Sequence, residues 1–302
     1  MTSAYRPHDA FVAPARARPE LWRLIAGIVV IAAVLFGLSS ALRAVLFALA
    51  PDTLYAELEM AEGAGTTPAS ALILLSSFAF MALGAVAAAH HLHGRGARSL
   101  IGPSLPAATR DFVRVVGALA LLHVAVAVLP PWGGPEGGRI PEPNLAPGLW
   151  IALLPLTLGA LLIQTGAEEM LFRGYLQQQL AARFRAPLVW MGVPSVLFAM
   201  GHYVPADFGE NALFVALWTG AFAVAMADVT ARAGNLGPAI AMHFMNNLFP
   251  IAFAAMEGTL SGLALYTVPA AGAAPDMLRS ALPAEALMLL CSWLVTRLAL
   301  RR

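Results

Sequence analysis

The sequence predicts an all-α, polytopic integral membrane protein with about eight transmembrane helices. Composition is the first reason: 59% of the 302 residues are hydrophobic and only 12% are charged. A soluble domain carries about 25% charged residues, so that class is excluded. The second reason is that apolar runs of about 20 residues, the length that spans a bilayer, recur along the chain. The third is that arginine is concentrated in alternate loops.

Eight apolar segments are separated by loops rich in Gly, Pro, Asn and Asp. In chain order they are 24–42, 69–89, 112–129, 149–171, 188–204, 212–229, 236–255 and 284–300. The first is longer than a signal-peptide core, so we interpret it as an uncleaved span. Residues 1–20 are predicted to be a cytoplasmic tail. Residues 21–302 are predicted to be one transmembrane domain with a catalytic core at about 150–256.

The arginines predict the orientation. With the N-terminus inside, 15 of the 18 basic residues fall on the cytoplasmic side, and the exceptions are Arg43, Arg139 and Arg279. We therefore expect both termini to be cytoplasmic in a multi-pass protein of the cell membrane. The chain contains no lysine, which we interpret as a lineage trait, and we expect a bacterial inner membrane. Membrane lipids are the expected surroundings, and nothing in the sequence indicates a nucleic-acid partner.

A few polar residues interrupt the apolar segments, where a charge costs about 2.5–3.5 kcal/mol. Glu169 and Arg173 are four residues apart near the end of the fourth segment, so they can pair on one helix face. Glu168 is rotated by about 100° from Glu169 and can face a cavity. His202 lies in the fifth segment and His243 in the seventh. Such polar groups should face one another rather than lipid.

These residue types are sufficient to hydrolyse an amide. A carboxylate removed from water, such as Glu168, can act as a general base near neutral pH. One histidine can hold a water molecule against it, and a second histidine with the amide of Asn247 can donate to an oxyanion. No G-x-S-x-G sequence is present, and Cys291 has no histidine near it in sequence. A serine or cysteine nucleophile is therefore not indicated.

Three short motifs carry a resemblance to a known family. They are E-E-x-x-x-R at Glu168, Glu169 and Arg173, F-x-x-x-H at Phe198 and His202, and H-x-x-x-N at His243 and Asn247. In this order, on separate predicted helices, they resemble the CPBP intramembrane proteases, also called the Abi or type II CAAX prenyl endopeptidase-like family. The resemblance covers about 150–256.

The family implies a role for each matched residue. Glu168 would activate water with His202 as its partner. His243 and Asn247 would form the oxyanion hole, and Glu169 and Arg173 would support them. The implied function is an intramembrane endopeptidase that cleaves a membrane-associated protein or peptide, either prenylated at a CAAX end or of another kind.

The resemblance leaves open whether the protein binds a metal. Members of the family are often labelled metalloproteases, although a metal-free scheme has also been argued. The chain lacks H-E-x-x-H, the usual zinc spacing. If a divalent metal such as zinc is bound, its candidate ligands are Glu168, His202 and His243. We expect water activation without an obligatory metal.

Two other functions fit the same residues. Buried Glu, His and Arg side chains also form the proton relays of proton-coupled transporters. A non-proteolytic membrane scaffold, such as a bacteriocin-immunity protein, is the other alternative. Asp228 and Arg232, outside the three motifs, are interpreted as charges at a helix end on the cytoplasmic surface.

Overall fold

The computed structural model describes residues 3–59, 64–129, 141–258, 260–268 and 275–301. Over these residues the chain is almost entirely helical, which confirms the predicted all-α, polytopic fold class. The α-helices of the described residues are α1 (Arg6–Val12), α2 (Leu21–Leu49), α3 (Ala56–Glu59), α4 (Pro68–Ser77), α5 (Ala79–His93), α6 (Arg98–Ile101), α7 (Leu105–Val128), α8 (Pro147–Glu169), α9 (Gln178–Arg183), α10 (Pro187–Gly201), α11 (Pro205–Phe208), α12 (Ala212–Ala233), α13 (Gly237–Leu248) and α14 (Pro275–Leu300).

Wider π-helical turns join some of these helices. They are Pro51–Tyr55, Met170–Gln177 and Phe249–Phe253. Short 3-10 turns lie at Ser3–Tyr5, Ala13–Ala17, Gly209–Asn211 and Ser261–Leu263. Inside helices, π turns are rare and are often found at functional sites. Here one π turn follows the paired glutamates directly, and another follows the helix that carries His243.

Six helical stretches are long and apolar enough to cross a membrane. They are Leu21–Leu49, Pro68–His93, Arg98–Val128, Pro147–Arg183, Pro205–Ala233 and Leu278–Leu300. The predicted count of eight is not confirmed, because α10 has 15 residues and α13 has 12. Prolines lie near the ends of both short helices. The residue before Pro205 is turned out of the helical conformation, and the π turn that follows α13 contains Pro250.

The loops sort onto two faces of the molecule. On the first, Arg23 donates to the carbonyl of Leu92, and the backbone of Leu236 donates to Ile101, both over 2.8 Å. We call this the basic face, because the arginine-rich loops meet there. That the basic face is cytoplasmic stays a prediction. Arg139, Arg302 and Glu136, which also enter the orientation argument, lie outside the described residues.

The opposite face carries a small sheet. Its strands are β1 (Glu142–Pro143), β2 (Ala254–Met256) and β3 (Tyr266–Val268), in the order β1-β3-β2. β3 is antiparallel to β1 and parallel to β2. The side chain of Asn144 donates to the carbonyls of Ser261 and Ala264 and so fastens the two loops. Strands of two or three residues are too short to show an alternating pattern in sequence.

The N-terminal segment is folded onto the basic face. Helix α1 buries His8, Phe11 and Val12 completely or almost so. Gly234 has a φ of +70°, and a Cβ there would lie 2.5 Å from the carbonyl oxygen of Pro7. The segment that the sequence predicts to be a polar tail is therefore a packed part of the structure.

Small residues dominate the helix contacts around the middle of the chain. The core cluster that surrounds the motif residues joins α7, α10, α12 and α13. Its larger members are Phe198, Phe222, Met226 and Met242, and alanines of α12 and α13 lie between them. Small side chains let helix backbones approach closely, which is the usual way helices pack in lipid.

Candidate active site

Helix α8 ends with the two glutamates, and the π turn that follows carries Arg173. The Arg173 Nη1 atom lies 2.9 Å from Glu169 Oε1. Both side chains are buried, with 1% and 0% of their surface exposed. The pair that the i,i+4 spacing predicts is therefore formed, and it is fully enclosed.

The π turn is held tightly against its neighbours. Arg173 Nη2 donates to the Ala223 carbonyl over 2.9 Å, and Gln177 donates to the Ala227 carbonyl over 3.2 Å. Arg173 and Gln177, four residues apart on the π turn, thus bind two carbonyls that are also four residues apart on α12. Gly174 makes the other side of the contact possible, because a Cβ there would lie 2.6 Å from the Leu100 carbonyl oxygen.

His243 lies between the two carboxylates. Its Nδ1 atom is 2.9 Å from Glu169 Oε1, and its Nε2 atom is 3.3 Å from Glu168 Oε2. An imidazole nitrogen and a carboxylate oxygen at this distance need a proton between them, carried either by the nitrogen or by the oxygen. With both ring nitrogens of His243 protonated and both glutamates ionised, the four charged groups, Arg173 included, sum to zero.

Glu168 differs from Glu169 in exposure and in partners. Its side chain keeps 9% of its surface exposed, against 0% for Glu169. Gln164, one turn earlier on α8, donates to Glu168 Oε2 over 2.8 Å. Gln164 also accepts a hydrogen bond from Asn247 Nδ2 over 3.2 Å. Sequence reasoning missed Gln164, although its i,i+4 spacing to Glu168 is the signal that links Glu169 to Arg173.

Asn247 is held from two sides. Its Nδ2 atom donates to Gln164, and its Oδ1 atom accepts from Asn246 Nδ2 over 3.1 Å. An amide nitrogen has two N–H groups, so one of them is not used by Gln164. The network therefore runs from α13 through Gln164 to Glu168, and from Glu168 through His243 to Glu169.

His202 lies beyond Phe198. Its Nδ1 atom is 2.8 Å from the Phe198 carbonyl, which only accepts, so Nδ1 carries a proton and donates it. The Phe198 ring centroid lies 4.5 Å from the ring of His202 and 5.9 Å from that of His243. His202 is half-buried and close enough to interact electrostatically with Glu168. The structure thus gathers all six predicted residues, with His202 at the edge of the group.

The candidate metal ligands do not form a metal site in this arrangement. Among the described residues, no group of three His, Cys, Asp or Glu side chains is placed to hold a metal ion. His243 directs one ring nitrogen to each glutamate, and His202 uses Nδ1 on a backbone carbonyl.

An apolar groove of about 650 Å³ lies beside the site, between α10 and α12. Small residues, among them Gly192, Ala199 and Gly220, lie along it. Its larger lining residues include Met200 and Tyr203, which flank the Gly201–His202 step and have 66% and 53% of their surface exposed. The groove therefore lies on the outer, lipid-facing surface of α10 and α12, where Tyr203 is the sequence neighbour of His202.

Comparison with known proteins agrees with the motifs. Residues 150–249 match the family described as type II CAAX prenyl endopeptidase Rce1-like. The resemblance is therefore confirmed over these residues. All six predicted site residues lie within the Rce1-like segment. The uncharacterized protein YyaK of Bacillus subtilis (strain 168) is 24% identical over 266 residues, which cover 86% of this chain and 87% of YyaK. No solved structure gives a significant match.

Proposed function

We propose that this protein is an intramembrane endopeptidase of the CAAX-protease type, which hydrolyses a peptide bond in a membrane-associated protein or peptide. The observation that carries the proposal is the position of His243 between two buried glutamates, one of them paired with a buried arginine. An ion pair alone would be sufficient to stabilise the fold. A second carboxylate, partly exposed and held by an amide and an imidazole, is the arrangement that general-base chemistry requires.

Glu168 acts as the general base. It takes a proton from a water molecule, and the resulting hydroxide attacks the carbonyl carbon of the scissile bond. His202, with Nδ1 protonated, offers the lone pair of Nε2 to orient that water molecule. Glu168 then gives the proton to the leaving amine, so the carboxylate is restored at the end of the cycle.

The oxyanion is stabilised by Asn247 and His243. Asn247 keeps the N–H group that Gln164 does not use, and His243 can share its Nε2 proton between Glu168 and the developing oxyanion. Glu169 and Arg173 hold His243 in place from its other nitrogen. Preorganised hydrogen-bond donors stabilise a developing charge more strongly in a site without bulk water than they would in water.

The groove between α10 and α12 offers an entry for the substrate. It is lined almost wholly by apolar side chains, and its lining includes Tyr203, the residue that follows His202. A substrate anchored in the membrane can therefore reach the site laterally, without leaving the lipid. This favours a membrane-bound substrate over a soluble peptide.

The test is a cleavage assay with purified protein in liposomes. The probes are a farnesylated peptide with a CAAX end, the same peptide without the lipid, and a mixture of single-span membrane proteins, with products identified by mass spectrometry. We expect cleavage of at least one probe by the wild type and by Thr165→Val, whose hydroxyl binds only its own helix. We expect loss of cleavage in Glu168→Gln.

Two results would overturn the proposal. One is wild-type rates in folded Glu168→Gln. The other is no cleavage of any probe by wild-type protein that instead moves protons or solutes across the liposome, which would favour the transporter.

A further inference from the structure

Gln164 is a buried amide near the C-terminal end of α8. Only 7% of its surface is exposed, and the neighbouring turn reads ALLIQTGA. A buried amide that makes no hydrogen bonds costs at least about 1–3 kcal/mol. Both ends of this side chain are used, one on Glu168 and the other on Asn247. The chain thus places a costly group where it joins two residues of the proposed site.

Its contact with Glu168 distinguishes the two carboxylate oxygens. Gln164 Nε2 lies 2.8 Å from Oε2, and His243 Nε2 lies 3.3 Å from the same atom. The hydrogen bond from Gln164 and the nearby His243 nitrogen both fall on Oε2, which leaves Oε1 for a further partner. The exposed part of this side chain agrees with an oxygen that can meet water.

Its contact with Asn247 fixes a second group. Asn247 Nδ2 donates to Gln164, while Asn247 Oδ1 accepts from Asn246, so the amide plane is held at both ends. The direction of the remaining N–H group of Asn247 then follows from the position of Gln164. One side chain therefore orients both the base and an oxyanion donor, which lie on different helices.

We propose that Gln164 is a positioning residue: it holds Glu168 so that Oε1 is the oxygen that accepts the proton of water, and it aims the free N–H of Asn247 at the oxyanion. This inference rests on the proposed function. Gln164 acts through Glu168 and Asn247 and does not itself take part in bond making. An amide that only filled space in α8 would have no effect on the base or on the oxyanion donor.

The variants are chosen to separate position from packing. Gln164→Met keeps the length of the side chain and removes both hydrogen bonds. Gln164→Asn keeps the amide and withdraws it by one carbon, so it cannot reach both partners. Thr165→Val is the matched control: its side chain is also fully buried on α8, and its hydroxyl binds only the Leu161 carbonyl over 2.9 Å.

We expect Gln164→Met and Gln164→Asn to lower kcat by about 10–100-fold, with KM changed less than about twofold, because the binding groove is untouched. The acid limb of the pH–rate profile should move to higher pH, since ionised Glu168 loses a donor. Thr165→Val should behave as the wild type. A kcat within twofold of the wild type in Gln164→Asn would overturn the inference. A fall in kcat that comes with a lower melting temperature and an unchanged pH profile would also overturn it, because packing alone would then explain the loss.

A readout without turnover keeps this inference separate from the proposed function. A hydrophobic carbodiimide reacts with protonated carboxyl groups, and mass spectrometry locates the labelled residue. In Gln164→Met, labelling of Glu168 should extend to higher pH than in the wild type and in Thr165→Val. Identical labelling curves would exclude control of Glu168 by Gln164. Failure of every cleavage assay together with a shifted labelling curve would reject the protease and leave the contact with Glu168 supported.

Discussion

Two clusters in this protein are each built on an acid and an arginine four residues apart. The site cluster consists of Glu168, Glu169, Arg173 and His243. The anchor cluster consists of Tyr5, Asp228, Arg232 and Trp293. The sequence shows the same spacing in both. The two clusters differ in how the oxygens of their carboxylates are hydrogen-bonded.

In the anchor cluster, both oxygens of Asp228 are satisfied. Tyr5 donates to Oδ1 over 2.7 Å, Trp293 donates to Oδ2 over 2.9 Å, and Arg232 Nε donates to both. In the site cluster, Glu169 Oε1 takes two donors, while the buried Oε2 has no hydrogen-bond partner among the residues that the structure describes. Buried polar atoms of stable structures are nearly always paired. The closed set of hydrogen bonds around Asp228 is typical of a structural joint, whereas the site cluster keeps one partly exposed carboxylate, Glu168, that can meet water.

The sharpest test of this contrast replaces each arginine by methionine. Arg173→Met leaves Glu169 as a buried charge that has lost its permanent cation, which should lower the free energy of unfolding by about 3–5 kcal/mol. Arg232→Met should cost clearly less, because Arg232 is 14% exposed and Asp228 keeps Tyr5 and Trp293. Thermal unfolding in detergent compares the two. Equal losses would mean that the clusters do not differ.

Asp228→Asn sharpens the comparison from the acid side. The amide places N–H groups against one of its present donors, so we expect a loss of about 2 kcal/mol. The folded variant should cleave at the wild-type rate, since Asp228 belongs to no catalytic contact. Melting temperature and kcat are measured on the same preparation. A fall in kcat without a fall in stability would place Asp228 in the catalytic machinery.

The burial of His8 predicts that the protein becomes less stable in acid. Burial against Trp190, with ring centroids 4.6 Å apart, lowers the pKa of His8 to about 4. The unfolded chain binds a proton below about pH 6.5 and the folded chain does not, so stability falls as the pH drops from 6.5 towards 4. The loss should reach about 2 kcal/mol at pH 5. His8→Gln should flatten this part of the stability curve, and an unchanged slope would contradict the assignment to His8.

The smallest effect is expected for Tyr5→Phe. It removes the hydrogen bond to Asp228, a contact that is partly exposed to water, and should cost about 1 kcal/mol. Burial, followed by the hydrogen bond and charge of Asp228, raises the pKa of Tyr5 to about 12. The stabilising contribution of the neutral phenol is therefore complete below pH 10 and is lost between pH 10 and 12. Melting curves of the wild type and Tyr5→Phe should converge across that range.

Sequence reasoning succeeded where a pattern is local. The three motifs were visible because their residues are four apart on helices, and helix geometry then sets which side chains share a face. The apolar runs also placed the helical segments, because hydropathy is likewise a local property of the sequence. Hydropathy did not give the count of spans, because α10 and α13 are shorter than a span and apolar composition does not show where a helix ends.

Sequence reasoning failed where partners are distant. Asp228 was interpreted as a helix-end charge at the cytoplasmic surface. It does lie near the end of α12, but its placement at the surface is wrong, because only 6% of it is exposed. Its partners Tyr5 and Trp293 lie 223 and 65 residues away in sequence, and no spacing rule connects such positions. Gln164 is the opposite case, since the spacing rule that found Arg173 would also have found it.

The docked N-terminal helix has a consequence for how the protein is made. Tyr5 is synthesised 223 residues before its partner Asp228, and Trp293 follows later still. Pro7 likewise packs against Gly234, which is synthesised much later. Contacts between such distant parts of a chain form late in folding. During synthesis, the α1 segment therefore lacks these partners, and it can pack onto the basic face only after α12 has been made. A bulky fusion at the N-terminus should act on this packing step, while one beyond α14 should leave it undisturbed.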